Sequence, residues 1–238
     1  SGSETDVTGA GVVEVDVRGL TIDGRGQAGS GPRYVGIFYR NASGTVEENT
    51  VEDMGVGARE TFGILAYGDS EVAIKNNVVS GYERGGIGAN GDGGAHPSPA
   101  VQIVGNQLTG SGDGSQTAWG PNGIQVGFGA TGRITNNDVE RNRWASKEDD
   151  AWSASCILVF ESDGVRIQGN RVANCDVGIG VGSWGWFRPS ADNTKIIRNE
   201  VDGALMGLEL EAIAWDGVSQ ADPSVSNTKH VNNEVKGA

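Results

Sequence analysis

The sequence lacks several things that would point to common functions. It has no run near the roughly 18 consecutive apolar residues that a membrane-spanning helix needs; Cys156 to Phe160 is among its longest apolar stretches. It is short of basic charge, with 18 Lys and Arg against 31 Asp and Glu in 238 residues and a formal net charge of −13. Nucleic-acid binding is disfavoured, because phosphate contacts need clustered Lys and Arg. A polyanionic glycan would likewise be repelled unless a divalent cation or a local basic patch intervened. Proline and cysteine are scarce, at six and two residues, and aromatic residues make up 6%. Long amphipathic helices are missing too, because Gly, Val, Ile and Asn interrupt every stretch.

Glycine is plentiful, at 40 residues, with no collagen period. That abundance implies many tight turns or close backbone approaches. Self-similarity explains it. The pattern apolar-x-x-Asn-x-apolar runs from Val46 to Val51 around Asn49. It returns around Asn77, Asn106, Asn137, Asn170, Asn199 and Asn233, with His230 in the leading apolar slot of the last copy. A degenerate first copy, Val17, Leu20 and Ile22, has Leu in the Asn slot. The Asn-to-Asn steps are 28, 29, 31, 33, 29 and 34 residues. A second pattern interleaves: Gly36-Ile37, Gly63-Ile64, Gly86-Ile87, Gly123-Ile124, Cys156-Ile157, Gly178-Ile179 and Gly207-Leu208. Each opens a short alternating segment, the period of a strand with one buried face.

A repeat of about thirty residues cannot bury its apolar face alone, but stacked coils can. Strands then lie about 4.8 Å apart from rung to rung, with Ile and Val forming internal columns. Asn tolerates a left-handed turn, and its amide can bond the Asn above and below. The expected fold is all-β: a single-stranded parallel β-helix of about seven to eight coils with an Asn ladder. A β-sandwich would not keep one residue type at one register of its turns.

The paired Gly-Ile-x-Val and Ile-x-x-Asn-x-Val repeats, from about Val13 to Val235, resemble the right-handed parallel β-helix of the pectate-lyase-like superfamily. That resemblance implies an extracellular polysaccharide-active protein, secreted or at the cell surface, with a groove on the sheet built from the Gly-Ile strands. It favours lyase-like β-elimination in an acidic glycan. The alternatives are a non-catalytic glycan-binding or adhesive solenoid and a glycoside hydrolase. Neither the Gly-His-Gly and paired Asp-Asp motifs of the polygalacturonase type nor the Asp-Pro-His motif of mannuronan epimerases is found in the repeats. Residues 1–238 read as one domain, a monomer or a module of a larger protein.

Candidate residues follow from alternation and loop length. Tyr67, Asn90 and Gln125 should point outward onto the groove floor, as should Phe38, Leu65, Leu158 and Phe160. Long loops carry Trp119, Trp144, Trp152, Trp184, Trp186 and Trp215, either as platforms for sugar rings or as plugs packing loops onto the barrel. Arg188, with His96 second, is the candidate base for elimination. Asp69 and Asp92, at one offset in successive coils, could share a calcium ion or be ordinary turn aspartates. Glu209 and Glu211, on one face of one strand, are the candidate carboxylate pair for hydrolysis. Cys156 and Cys175 fall near one corner; the sequence leaves open whether they are bonded.

Overall fold

A computed structural model describes residues 13–26, 34–54, 61–93, 97–112, 120–144, 154–185, 188, 190–213 and 223–237. The described chain is a parallel β-solenoid with three sheets and no helix. Sheet 1 holds the Gly-Ile strands Tyr34–Arg40, Thr61–Tyr67, Gly85–Asn90, Asn122–Gly127, Ser155–Phe160, Val177–Ser183 and Met206–Ala212. Sheet 2 runs from Val13–Arg18 through Thr131–Thr135, Arg166–Gln168 and Lys195–Ile197 to Lys229–Val231. Sheet 3, of three-residue strands, runs from Thr21–Asp23 to Glu234–Lys236. Seven three-strand coils follow a partial one, and each strand pairs in parallel with its counterpart one coil away.

The register brings like residues together. Ile37, Ile64, Ile87, Ile124, Ile157, Ile179 and Leu208 form one column in sheet 1. Val46, Ile74, Ile103, Ile134, Ile167 and Ile196 form another in sheet 2 and are fully buried. The inward valines of sheet 3, facing sheet 1 across a narrow coil, account for the glycines. A Cβ on Gly63 would sit 2.3 Å from Val79 Cγ1, and one on Gly123 would sit 2.3 Å from Val139 Cγ1. Gly178 and Gly207 meet Val201 and Val235 in the same way, at 2.5 Å. The Gly slot and the apolar residue two places after each Asn are therefore one packing unit.

The asparagines form a continuous ladder. The Oδ1 of Asn77 accepts from both the backbone N–H and the Nδ2 of Asn49, at 3.0 and 2.9 Å. The same double bond links Asn77 to Asn106, Asn106 to Asn137, Asn137 to Asn170, Asn170 to Asn199 and Asn199 to Asn233. Each Nδ2 also donates to a carbonyl one coil back, such as Val46 O for Asn77 and Ile74 O for Asn106. These amides are buried and satisfied, as burial of polar groups demands. The row starts where Asn49 Oδ1 accepts from Leu20 N, so the Leu-bearing first copy caps it.

One detail corrects the expectation. The ladder asparagines do not themselves adopt the left-handed backbone. The residue before each one does: Glu48, Asn76, Gly105, Asn136, Gly169, Arg198 and Asn232, with φ between 52° and 68°. The turn is made one residue early, so the Asn side chain is free to turn into the barrel.

Cys156 occupies the inward slot that other coils give to glycine, and it is bonded to Cys175 with a Cα–Cα distance of 5.7 Å. The bond ties one coil closed across its own 19-residue span.

Asn106→Ala is expected to lower stability by about 2–4 kcal/mol, because it leaves the buried backbone N–H of Asn77 without its acceptor and takes one hydrogen bond from its Nδ2, which keeps Val46 O. Asn233→Ala, at the half-exposed end of the row, should cost markedly less. Equilibrium urea unfolding of both variants checks the order, and equal losses would count against the ladder as a stabilising element.

Candidate functional site

The outer face of sheet 1 carries two columns along the solenoid axis. One reads Phe38, Leu65, Gly88, Gln125, Leu158, Gly180 and Glu209. The other reads Arg40, Tyr67, Asn90, Gly127, Phe160, Gly182 and Glu211. Alternation thus placed the outward residues correctly, but outward is not always exposed. Leu65 is 2% exposed, and it leans with the Phe62 ring over Gly88, where a Cβ would meet both within 3.0 Å. Phe160 is also buried, edge-to-face against Phe128 (5.5 Å) and Trp184 (5.3 Å).

Filling at one end leaves open space at the other. A partly open pocket with a cavity volume of about 80 Å³ lies across the last four strands of sheet 1. Its floor is Gly180 and Gly182, which lie in register beside Glu209 and Glu211. Leu158, Phe160 and Trp184 supply an aromatic and aliphatic wall, and Asn122, Gln125 and Ser155 a polar one. That polar wall is a relay. Ser155 N donates to Asn122 Oδ1 (3.1 Å), Asn122 Nδ2 to Gln125 Oε1 (2.9 Å), and Gln125 Nε2 to Asn90 Oδ1 (2.9 Å). The amides are locked by one another, which holds the floor rigid.

The two carboxylates differ. Trp184 Nε1 donates to Glu211 Oε2 at 3.1 Å and orients that group. Glu209 is half-buried, and burial pushes its carboxyl above the usual glutamate range, with the Glu211 charge adding to the effect. A pair of acids in which one is held toward its protonated form can donate a proton and accept one at the same site.

The structure spreads the other sequence-derived candidates widely. Tyr67 and Asn90 stack in one column, and Gln125 joins them through Asn90. Arg188 does not line the pocket. Its backbone N–H donates to Glu161 Oε2 (3.1 Å), and its guanidinium lies beside Gly129, 3.9 Å from Asp163 Oδ2. Trp144 is buried, with its N–H donated to Asp176 Oδ2 (2.9 Å), and packs a corner away from the pocket. His96, Trp119, Trp152, Trp186 and Trp215 lie outside the described residues. Asp69 is exposed on its turn, where its N–H donates to Asn41 Oδ1 (2.9 Å), and Asp92 is half-buried. Among the described residues no third His, Cys, Asp or Glu joins them.

Sequence reasoning missed Asn122, Ser155, Phe128 and Arg84. Arg84 reaches the pocket from the corner before its strand and donates from Nη1 to Gly120 O (2.8 Å). Asn122 and Ser155 precede the Gly-Ile slot by one residue, and Val35, Phe62, Gly85 and Val177 occupy the same register. That column could have been read as a third outward row, had the corner before the glycine been recognised as a break in alternation.

A coil of parallel strands with this internal ladder defines the class, and comparison with known proteins agrees. The model of the right-handed β-helix region matches residues 35–238, and the chain belongs to that family. Among solved structures, it is similar to the A-module of the mannuronan C-5 epimerase AlgE4 from Azotobacter vinelandii, with 14% identity and a TM-score of 0.65. The match covers 95% of this chain and 54% of the epimerase module, so the chain spans about half that structure's length. A likeness to the pre-mature gene product 12 of bacteriophage phi29 has 14% identity and a TM-score of 0.46, and covers 94% of this chain and 36% of the phage protein. At these identities the likeness is one of fold. A search of curated protein sequences gives no match.

The raised Glu209 makes a stability prediction. A carboxyl whose folded-state pKa is raised favours the folded state most when protonated. Its contribution is fully present below the unfolded value of 4.5 and is lost as pH rises through the folded value. Glu209→Gln should therefore melt higher than the parent at neutral pH and converge with it below pH 4.5. Thermal melts across that range test the sign.

Proposed function

We propose that this protein acts on a polysaccharide in the sheet 1 pocket, by glycoside hydrolysis with Glu209 as proton donor and Glu211 as base. The observation that carries the reading is the carboxylate pair itself: one acid pushed toward its protonated form, one oriented by Trp184, both beside a glycine floor and an aromatic wall. A glycan lying along the solenoid axis would pass between the two outward columns, with Glu209 on one flank and Glu211 on the other. Residues two apart on a strand are separated by about 6.5–7 Å at the backbone. That spacing suits inversion, in which water must fit between the base and the sugar. Glu211 takes a proton from that water, its oxygen attacks the anomeric carbon, and Glu209 protonates the departing glycosidic oxygen. Phe160 and Trp184 supply the flat apolar surface on which sugar rings stack.

The β-elimination reading has less support from this pocket. Arg188 lies outside it, and against the single Arg84 the two glutamates leave the pocket acidic toward a uronate. The substrate that fits the pocket is an uncharged glycan. The disulfide supports a site of action outside the cytosol, where such bonds persist.

Release of reducing ends from a panel of neutral polysaccharides should identify a substrate. Glu209→Gln and Glu211→Gln should each lower turnover by about 100-fold or more, while glycan binding, followed by tryptophan fluorescence, persists. Activity should fall as pH rises through the raised pKa of Glu209, because the donor is then lost. Ultraviolet-absorbing unsaturated products that both variants still make from a uronan such as polygalacturonate would refute hydrolysis and restore elimination.

A further inference from the structure

Sheet 2 turns a different chemistry outward. One of its columns reads Asp16, Thr45, Ala73, Gln102, Arg133, Arg166, Lys195 and Lys229 in unbroken register. Its last four members are all basic and successive, about 4.8 Å apart, in a chain whose net charge is −13. Arg133, Lys195 and Lys229 are exposed and Arg166 is half-exposed. Among the described residues no carboxylate pairs with any of them; Arg166 bonds only the neutral Gln168 side chain.

Other rungs handle charge in the opposite way. Arg171 stacks on Asp138 (3.2 Å) and Lys236 on Glu200 (3.2 Å), each cation beside an anion of the neighbouring coil. Like charges directly opposite on paired strands destabilise a sheet. Four in a row are an unrelieved cost unless an anion outside the fold compensates. The column also borders a hollow of about 790 Å³ that runs along the sheet, lined by Arg133, Arg166 and Lys195 with Gln102, Thr131 and Gly132 on the later coils and by Glu14 and Glu71 on the earlier ones, so the cationic part is the end at the later coils.

We propose that this face is a second binding site, for a linear polyanionic glycan that lies along the solenoid axis and is neutralised residue by residue by Arg133, Arg166, Lys195 and Lys229. The one-dimensional, evenly spaced array matches a polymer with one charge per sugar better than a compact anion. The long hollow gives such a chain room on either side of the charges. The site is separate from the sheet 1 pocket and does not depend on catalysis there.

The test is binding of polygalacturonate oligosaccharides by calorimetry at low salt, with uncharged dextran as the neutral control. Polygalacturonate should bind and dextran should not, and log K should fall with log salt at a slope of about −3, from the release of counterions at four contacts. The variant Arg133→Gln, Arg166→Gln, Lys195→Gln, Lys229→Gln should lose at least tenfold in affinity while its circular dichroism stays unchanged and its melting temperature holds or rises, as relief of the stacked charges requires. Arg133→Lys with Arg166→Lys should keep most of the affinity, and Glu209→Gln all of it. No binding by the parent, or binding that survives the fourfold substitution, overturns the proposal. So does equal affinity for duplex DNA, which would mark a general anion surface. Salt-sensitive self-association lost in the fourfold variant, without glycan binding, would assign the face to a second copy instead.

Discussion

The structure depends on one constraint: each coil must sit directly over the next, in register. The asparagine row enforces it. Each ladder Oδ1 takes two hydrogen bonds from the asparagine one coil back, so a slip of a single residue would strand several buried donors at once. Burial makes such a loss expensive, since unsatisfied amides cannot fall back on water. The glycine slot adds a steric check, because only a residue without Cβ fits against Val79 or Val139. Hydrogen bonding fixes the stack, and the isoleucine columns then supply the burial that stabilises it.

Register inside dictates register outside. Since the inward residues stack, the residues between them stack too, and sheet 1 presents two straight outward columns. What fills these columns decides where a ligand fits. Phe62 and Leu65 close the space over Gly88, whereas Gly180 and Gly182 leave it open beside Glu209 and Glu211. The pocket is thus a consequence of small residues falling in the same two columns on the later coils. Its rigidity comes from the Asn122–Gln125–Asn90 relay and from the aromatic triplet of Phe128, Phe160 and Trp184.

Much of this was legible in the sequence, for a physical reason. Period and residue type determine which positions are inward, so the ladder, the isoleucine columns and the outward row ending in Glu209 and Glu211 could all be read without coordinates. The path of long side chains and of loops between strands has no period to read. Arg188 sits in a long loop, and nothing local indicates that its guanidinium turns toward Asp163. Leu65 and Phe160 alternate outward as expected, yet neighbouring aromatics cover them. Asn favours the left-handed conformation, so residue type alone points to the Asn as the turn residue. The fold instead spends the asparagine on bonding and puts Glu48 or Arg198 in the strained position, at a cost the ladder's bonds offset.

The charge on the chain is not spread evenly over its faces, and this bears on what the molecule can hold. The sheet 1 pocket carries two glutamates against one arginine, Arg84. The later coils of sheet 2 carry four stacked cations, Arg133, Arg166, Lys195 and Lys229. Net charge alone would have excluded acidic glycans from the whole molecule, but a column of like residues concentrates one sign along a line regardless of the total. A repeat fold makes such lines easily, because one outward position recurs at every turn. A solenoid can therefore present chemically opposite faces on one rigid rod, each addressed to a different polymer or to different parts of one.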